Sequence, residues 1–316
     1  MDWQQAQKEL VCRLAALYDD REAAVISDWV MEHLSGRKKI DRLLHKSESL
    51  SPAMLKRLQQ YTKELLEHRP IQYVLQESWF CGLKFYVDEH VLIPRPETEE
   101  LVEWVVAEAG GRSGSIRSGL PAGGYGGSRT SAQDRGAPTV RRMGAGTGGV
   151  ILDVGTGSGC IAVALKRQLP SSDVYGCDVS GDALAIAQRN ATTLGADLHL
   201  RRLDFLDSRQ WESLPPVDYL VSNPPYIPLK DKEAMAAHVV AFEPHGALFV
   251  EDNDPLVFYR ALAGFAKGKL APGGALFAEI HEDLAAATLD LFQTAGFQQV
   301  ILRKDMQGKD RMIKAG

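Results

Sequence analysis

The sequence predicts an α/β fold built on a parallel, doubly wound sheet. Between residues 96 and 316, short apolar runs alternate with segments whose apolar residues recur at helical spacing, and seven of these runs are predicted strands. The last two strands, near Ile301 and Met312, are joined by the short turn from Asp305 to Asp310, which predicts an antiparallel edge. A glycine-rich turn follows the first strand of this region and indicates a ligand site.

The 316 residues are enough for two domains. Residues 1–70 are predicted to form a helical domain, because apolar residues recur at helical spacing and Ser51-Pro52 is typical of a helix start. This domain either caps the second domain or docks a partner. Residues 71–95 are rich in aromatic and β-branched residues around Gly82 and predict a β-hairpin linker. Residues 96–316 are then the sheet domain.

The sheet domain contains a segment of different composition, residues 110–149, which is rich in Gly, Ser and Arg and is predicted to be a disordered insertion. Its Gly144-Ala145-Gly146-Thr147-Gly148-Gly149 matches a nucleotide-binding pattern but follows no strand, so we expect no site there. The basic tract is either a solvated linker or a contact for RNA or an acidic surface.

The net charge of −5 is unevenly distributed. Residues 110–149 carry six Arg and one Asp, a charge of +5, which leaves −10 on the rest of the chain. An acidic folded part counts against DNA as the main substrate, since phosphate neutralisation supplies most non-specific affinity for a duplex. It fits a protein partner with a basic face, and we expect no direct nucleic-acid binding.

The sequence has neither an apolar leader near its first residue nor a run approaching the length of a membrane span, so a cytoplasmic protein without membrane contact is expected. Its four cysteines form no Cys-x-x-Cys pair and are not grouped with histidines. Neither a disulfide framework nor a metal site is therefore predicted.

The glycine-rich turn has the pattern of a nucleotide-cofactor loop. A predicted strand from Val150 leads into Gly155-Thr156-Gly157-Ser158-Gly159, and a helix follows. Glycines at these positions allow positive φ and let a ligand approach the backbone. The next predicted strand ends at Asp178, 19 residues after Gly159, which is the position of an acceptor for ribose hydroxyls.

An enzyme that uses NAD would explain the glycines and Asp178 equally well, and Asp153 discriminates between the cofactors. A carboxylate directly before the loop repels a pyrophosphate but attracts a cation, and S-adenosylmethionine carries a sulfonium and an ammonium. Asp204 and Phe205 follow the third predicted strand, where the acid can accept from the adenine amine and the ring can pack on the base. Asp204 is alternatively a helix cap or turn residue.

The stretch Asn223-Pro224-Pro225-Tyr226 follows another apolar strand and predicts a site for an amino group. The prolines restrict the backbone, so the Asn223 side-chain oxygen and the Pro224 carbonyl are held as two acceptors for one NH2 group. Tyr226 offers a ring face or a phenolic edge to a planar amide or base. The alternative for this stretch is an ordinary turn.

Arg95 lies upstream, before a helix that Thr98 and neighbouring acids are predicted to start. It either contacts the substrate or pairs with a nearby acid. The sequence leaves both interpretations open.

With these residues in view, the chain resembles the glutamine methyltransferases of peptide-chain release factors, the PrmC/HemK family. The motifs that carry the resemblance are Arg69-Pro70-Ile71-Gln72-Tyr73, Ile93-Pro94-Arg95-Pro96-Glu97-Thr98-Glu99, Asp153-Val154-Gly155-Thr156-Gly157-Ser158-Gly159, Asn223-Pro224-Pro225-Tyr226 and Gln307-Gly308-Lys309-Asp310-Arg311. The resemblance covers nearly the whole chain outside residues 110–149.

The resemblance implies a seven-stranded Rossmann-like class I methyltransferase domain. It implies S-adenosyl-L-methionine as cofactor, and methylation of the Gln side-chain amide in the Gly-Gly-Gln motif of class I release factors. The implied catalytic residues are Asn223, Pro224 and Tyr226, and the implied substrate contacts add Pro225 and Arg95. The implied cofactor contacts are Asp153, Gly155, Thr156, Gly157, Gly159, Asp178, Asp204, Phe205 and Asn223. The helical domain is then a contact for the release factor, and a monomer is expected.

The chain departs from the family pattern at three places. These are the insertion before Asp153, Gln76 where a glycine is usual, and the segment 250–256 in place of a more glycine-rich turn. Two other functions remain as alternatives: an amino methyltransferase acting on adenine or cytosine of nucleic acid, and a non-catalytic protein that binds translation factors.

Overall fold

The computed structural model describes residues 1–114 and 148–316. The predicted disordered insertion, residues 110–149, and its Gly144–Gly149 pattern lie outside the described residues, apart from their ends at 110–114 and 148–149. Residues 110–114 belong to a helix.

Eleven α-helices are formed by the described residues: α1 (Trp3–Leu14), α2 (Asp20–Ser35), α3 (Lys39–Leu44), α4 (Pro52–Leu66), α5 (Ile71–Leu75), α6 (Pro96–Gly114), α7 (Cys160–Gln168), α8 (Gly181–Thr193), α9 (Ala237–Phe242), α10 (Val257–Lys269) and α11 (Ala285–Thr294). The strands are β1 (Ser78–Phe80), β2 (Leu83–Phe85), β3 (Val150–Val154), β4 (Asp173–Asp178), β5 (His199–Arg202), β6 (Val217–Ser222), β7 (Ile227–Pro228), β8 (Phe249–Val250), β9 (Leu270–Glu279), β10 (Val300–Lys304) and β11 (Asp310–Ala315). Short 3₁₀ helices span Ser208–Ser213, Leu229–Ala234, His245–Ala247 and Glu282–Leu284.

These elements form two compact units. The helical unit comprises Met1–Ser78, Tyr86–Ile93 and Glu233–Pro244, and the sheet unit comprises Trp79–Phe85, Pro94–Lys232 and His245–Gly316. The predicted division at residues 70 and 95 placed 86–93 in a linker and 233–244 in the second domain. Both segments cluster instead with the N-terminal helices.

The core of the helical unit is formed by one apolar stripe from each of its long helices. Leu10 and Leu14 of α1, Val30 of α2 and Leu65 of α4 are all fully or almost fully buried. The two late segments join this unit through buried hydrogen bonds, from the Tyr73 hydroxyl to the Val91 carbonyl and from the Ile93 amide to Glu243.

The predicted hairpin covers less of the chain than residues 71–95. Residues 71–75 form helix α5, and the two strands of the hairpin span only 78–80 and 83–85. Tyr73, Val74 and Leu75 are all buried, and a short, wholly buried run does not show by its periodicity whether it is helix or strand. Gln76 ends the helix with φ of 55°, a left-handed conformation that glycine adopts more readily than other residues.

The sheet unit contains the predicted seven-stranded sheet, in the order β10-β11-β9-β6-β3-β4-β5. The five strands from β9 to β5 run parallel, and β11 pairs antiparallel with both β9 and β10. This confirms the predicted α/β class and the antiparallel edge.

Successive residues of the central strands supply two cores, because a strand directs neighbouring side chains to opposite faces. Leu152 and Leu220 are paired in register and lie in the core that contains α10 and α11. Their neighbours Ile151 and Tyr219, also paired, lie in the core that contains α6 and α7. The sheet is therefore covered on both faces, as a doubly wound fold requires.

Among the residues that the structure describes, no helix has both the length and the apolar character needed to cross a membrane. The same residues contain no group of three or more His, Cys, Asp or Glu side chains placed to hold a metal ion.

Candidate active site

The candidate active site lies where the carboxyl ends of the parallel strands meet. β3 and β6 are neighbours, with Val154 paired to Ser222, although β4 and β5 separate them in the chain. The strand order therefore reverses between β3 and β6, and open α/β sheets bind ligands at such a switch point. The glycine loop, residues 155–159, follows β3, and the Asn223–Tyr226 loop follows β6. The two predicted motifs thus start at adjacent strand ends.

The glycine loop leaves open space beside its backbone. Gly155, Gly157 and Gly159 have positive φ values of 71°, 53° and 78°. Of the described atoms, a Cβ added at Gly155 would meet none within 4 Å, and one at Gly157 would meet the Gly155 oxygen at 3.9 Å. A Cβ at Gly159 would lie 3.1 Å from the Cβ of Ala187 in α8. The first two glycines therefore leave space beside the backbone, whereas the third permits close packing of α8 against the start of α7.

Asp153 stands at the end of β3 and is fully buried. Its Oδ2 accepts a hydrogen bond from the Thr156 hydroxyl at 2.6 Å, and the backbone amide of Ala162 also interacts with the carboxyl. Burial raises the pKa of this carboxyl to about 7; the hydrogen bonds from Thr156 and from the Ala162 amide oppose the shift, and the charge of Asp178 adds to it. Asp153 thus anchors the glycine loop through a side chain and changes its charge near neutral pH.

Asp178 connects the glycine loop to the start of α8. Its Oδ2 accepts from the Gly157 amide and its Oδ1 from the Ser180 amide, both at 2.9 Å. The carboxylate is half-buried, and each oxygen keeps a second lone pair. A ligand hydroxyl is thus able to bind without breaking the bonds to the loop.

Asp204 and Phe205 have their contacts away from the other predicted site residues. The Asp204 Oδ1 accepts from the Leu206 amide at 2.9 Å, the geometry of a turn residue. The Phe205 ring is buried and lies 5.5 Å from the Trp211 ring and 5.4 Å from the Phe265 ring. The turn interpretation of Asp204 therefore agrees with the structure, and the adenine contacts of both residues stay predictions.

The side chain of Asn223 is anchored by a network that crosses the site. Its Nδ2 donates to the Thr98 Oγ1 at 3.0 Å, and the Thr98 hydroxyl donates to the Glu279 Oε2 at 2.6 Å. The Tyr226 hydroxyl donates to the other oxygen of Glu279 at 2.9 Å. Two predicted site residues are thus tied to one carboxylate.

Thr98 and Glu279 are the residues that the sequence interpretation missed. The prediction that Thr98 starts the helix is wrong, because α6 begins at Pro96 and the Thr98 hydroxyl bonds to Glu279 instead of capping the helix. Glu279 is the last residue of β9 and is 2% exposed. The available signal was an acid at the end of an apolar strand, which is rarely buried unless it has partners.

Arg311 of β11, in the antiparallel part of the sheet, contributes a positive charge that opposes the negative charge of Glu279. Burial raises the pKa of Glu279, and the bonds from Thr98 and Tyr226 and the charge of Arg311 oppose the shift. The Arg311 Nε also donates to Asp305 at 3.1 Å. Burial and the charge of Glu279 raise the pKa of the Tyr226 phenol, so this hydroxyl remains protonated and donates.

The remaining predicted residues surround this network. Pro224 is buried, and Pro225 and Tyr226 are half-buried. Because the Tyr226 hydroxyl bonds to Glu279, its phenolic edge is engaged within the protein. Arg95 is half-buried directly before α6, and its carbonyl accepts from the Thr98 amide at 3.1 Å. Its contact with a substrate stays a prediction.

Two family models and a set of known proteins match this chain. Residues 5–75 match the family model of the PrmC N-terminal domain, and residues 134–262 match that of the methyltransferase small domain. A release factor glutamine methyltransferase of Flavobacterium psychrophilum is 36% identical, covering 97% of this chain and 96% of its own. Its counterpart of the same name in Bacteroides thetaiotaomicron is 35% identical, with coverages of 96% and 95%.

Among solved structures, the catalytic domain of hMettl16 in complex with the MAT2A 3'UTR hairpin 6 has a similar fold. It is 14% identical, the match covers 84% of this chain and 81% of that chain, and the TM-score is 0.51. At this identity the likeness concerns the fold alone.

Proposed function

Because the chain belongs to the release factor glutamine methyltransferase family, we propose that it methylates a glutamine side chain of class I release factors. The acceptor is the amide nitrogen of the Gln in their Gly-Gly-Gln motif, and the methyl donor is S-adenosyl-L-methionine. A substrate of this kind places the reaction in the cytoplasm, where translation terminates.

The residues of the glycine loop suit this cofactor. The open space beside Gly155 and Gly157 allows a ligand to approach the backbone, and Asp178 retains acceptor capacity for ribose hydroxyls. When bound, the cofactor supplies an electrophilic methyl group on a positively charged sulfur and leaves as a neutral thioether.

The observation that carries the proposal is the orientation of Asn223. Since its Nδ2 donates to Thr98, its Oδ1 lies on the opposite side of the amide and is presented as an acceptor. Together with the Pro224 carbonyl, it holds both hydrogens of a primary amide. The loop therefore selects an NH2 group and aims its nitrogen.

Orientation matters because an amide nitrogen is a weak nucleophile. Its lone pair is delocalised, as the barrier of about 18–20 kcal/mol to peptide-bond rotation shows. Fixing the nitrogen against the methyl group contributes about 7–11 kcal/mol. As nitrogen forms its new bond to carbon it becomes positive, so the hydrogen bonds to Asn223 and Pro224 strengthen in the transition state. The nitrogen then releases one proton to solvent, and no general base is needed during transfer.

The helical unit is proposed to contact the release factor. The protein is proposed to act as a monomer. Residues 5–75 match the family model of the PrmC N-terminal domain, so the unit proposed to make this contact is one that the family shares.

The test is mass spectrometry of a purified class I release factor after incubation with the full chain and the cofactor. One methyl group on the Gly-Gly-Gln glutamine is expected. Two matched controls accompany it. A release factor with Glu in place of that Gln should remain unmodified, and the Asn223→Ala enzyme should methylate the normal release factor far more slowly.

A methyl group on another residue would reject the proposed target but keep the reaction class. If the chain binds the cofactor in calorimetry but methylates no protein residue, the proposal is rejected. Methyl transfer to adenine or cytosine in an added oligonucleotide would then identify the alternative substrate class. A chain that binds the release factor but not the cofactor would indicate the non-catalytic alternative.

A further inference from the structure

The Thr98 hydroxyl stands between the amide of Asn223 and the carboxylate of Glu279. It accepts from the first at 3.0 Å and donates to the second at 2.6 Å. A hydroxyl has one hydrogen. Since an ionised carboxylate only accepts, that hydrogen goes to Glu279, and Thr98 is left as an acceptor towards Asn223. The NH2 group of the Asn223 amide is the part that can donate to it.

The direction of this bond decides what Asn223 presents to a ligand. The two ends of an asparagine amide have nearly the same shape, so packing alone does not choose between them. With the NH2 group held by Thr98, the carbonyl oxygen faces the ligand. In the reverse orientation two N–H donors would meet the donors of the substrate amide, and one of the two acceptors that hold it would be lost.

We propose that Thr98 and Glu279 are positioning residues, which fix the Asn223 side-chain amide with its oxygen towards the substrate. The inference rests on the proposed function for its catalytic consequence. The structural part stands on the hydrogen bonds and burial alone.

The hydrogen bonds from Asn223 to Thr98 and from Thr98 to Glu279, together called the relay, are buried, and burial allows them to hold the amide in one orientation. Thr98 and Glu279 are each 2% exposed, so water does not compete for their hydrogen bonds. The Tyr226 hydroxyl holds the second carboxylate oxygen of Glu279, and the Tyr259 hydroxyl donates to its backbone carbonyl at 3.1 Å. Glu279 is thus fixed at both its side chain and its backbone.

The first arm of the test measures the hydrogen bond between Asn223 and Thr98 in the absence of substrate, through hydrogen exchange of the Asn223 NH2 group. The chain has three asparagines, Asn190, Asn223 and Asn253, so 15N-asparagine labelling gives three side-chain NH2 signals, and Asn223→Ala assigns one. Asn190 is buried and donates to the Ser158 carbonyl at 2.9 Å, whereas Asn253 is exposed. Hydrogen exchange of the Asn223 NH2 should be slower than that of Asn253. It should rise about tenfold or more in Thr98→Val, with Asn190 unchanged.

The second arm measures release-factor methylation at saturating cofactor. Thr98→Val should lower kcat about 10- to 100-fold, as expected for a misplaced reacting group, with little change in KM or in cofactor affinity. Thr98→Ser, which keeps the hydroxyl, should retain most of the activity. Thr288→Val is the matched control, because Thr288 is another buried threonine, and its hydroxyl makes a local hydrogen bond to the carbonyl of Leu284, the residue before α11.

A double-mutant cycle separates positioning from general structural damage. If Thr98 acts through Asn223, Thr98→Val should change the residual rate of Asn223→Ala less than threefold. A similar loss in both backgrounds overturns the proposal, as does unchanged exchange of Asn223 in Thr98→Val. Slow exchange with normal kcat in Thr98→Val also overturns the positioning role, while leaving the proposed function intact. Wild-type protein that shows protected Asn223 but methylates no glutamine overturns the proposed function instead.

Discussion

The amide of Asn223 and the hydroxyl of Thr98 are 125 residues apart in the sequence and form a hydrogen bond of 3.0 Å. The bond joins the loop after β6 to the first turn of α6. It gives the Asn-Pro-Pro-Tyr loop one fixed orientation of its asparagine, and the first prediction follows from that.

Asn223→Ala should lower kcat for glutamine methylation about 100- to 1,000-fold, the range seen when one fixed hydrogen-bonding group is removed from a transition state. Cofactor affinity should change less than threefold, because Asn223 is proposed to act mainly on the substrate amide. Steady-state kinetics and calorimetry provide the two measurements. Asn253→Ala, at an exposed asparagine, should alter neither. A parallel loss of cofactor affinity in Asn223→Ala would contradict this division of roles.

Gly155→Ala should weaken cofactor binding at least tenfold, because the added methyl group enters the space proposed for the ligand. Gly82 provides a close control: its φ is also 71°, and a Cβ there also meets no described atom within 4 Å. Both substitutions should cost about 1 kcal/mol of unfolding free energy, since each places an L-residue in the left-handed region. Urea unfolding and calorimetry test this pair. Equal cofactor affinity in the two variants would exclude the loop as the binding site.

Methylation should slow at acid pH through Glu279. Its pKa is raised above the ordinary 4.5 by burial, against the effects of Thr98, Tyr226 and Arg311, and Glu97 adds to the rise. Once protonated, Glu279 is able to donate to Thr98, which frees the Thr98 hydroxyl to donate to the Asn223 oxygen and permits the reversed amide. The wild-type kcat at saturating cofactor should therefore fall as pH drops through a midpoint above 4.5. Thr98→Val lacks the relay, so an identical acid limb in its pH profile would assign the titration to another group.

Asp153 should make the protein less stable as pH rises. Its carboxyl has a folded pKa of about 7, against an ordinary value of 3.8. Between these values the folded state binds the proton and the unfolded state does not, so unfolding free energy falls by up to about 1.4 kcal/mol per pH unit. Asp153→Asn removes this contribution. In urea unfolding its stability relative to wild type should increase from pH 5 to pH 7 and level off above. A constant difference would show that Asp153 is ionised throughout.

Gln76→Gly should stabilise the helical unit by about 0.5–1 kcal/mol. Gln76 has φ of 55° at the end of α5, where glycine avoids a left-handed cost of about 1–2 kcal/mol but loses more entropy on folding. Gln72→Gly, inside the same helix, should destabilise instead. The midpoints of urea unfolding compare the two, and a loss of stability in Gln76→Gly would mean that the glutamine side chain contributes contacts of its own.

Local sequence patterns were sufficient to predict the site residues at the strand ends. They were not sufficient to predict the hydrogen-bond partners that are distant in the sequence. The glycines, Asp178 and Asn223 lie next to apolar strands, so their common edge follows from the parallel arrangement. The role of Glu279 depends on Thr98, 181 residues away, and on Tyr226, 53 residues away. No local pattern reports such pairs. Phe205 illustrates a further limit, because an aromatic residue after a strand can face a ligand or the core, and here its ring partners are Trp211 and Phe265.

The division of the chain between its two units also bears on how this protein can be altered or recombined. The chain passes between the units five times, returning to the helical unit at Tyr86–Ile93 and again at Glu233–Pro244. A fragment that ends at Ser78 would leave the Tyr73 hydroxyl without Val91 and would lack the bond between Ile93 and Glu243. The helical unit therefore cannot be transferred to another protein as one continuous segment of the chain. Replacement of the whole helical unit by that of a relative would require the exchange of three separate segments.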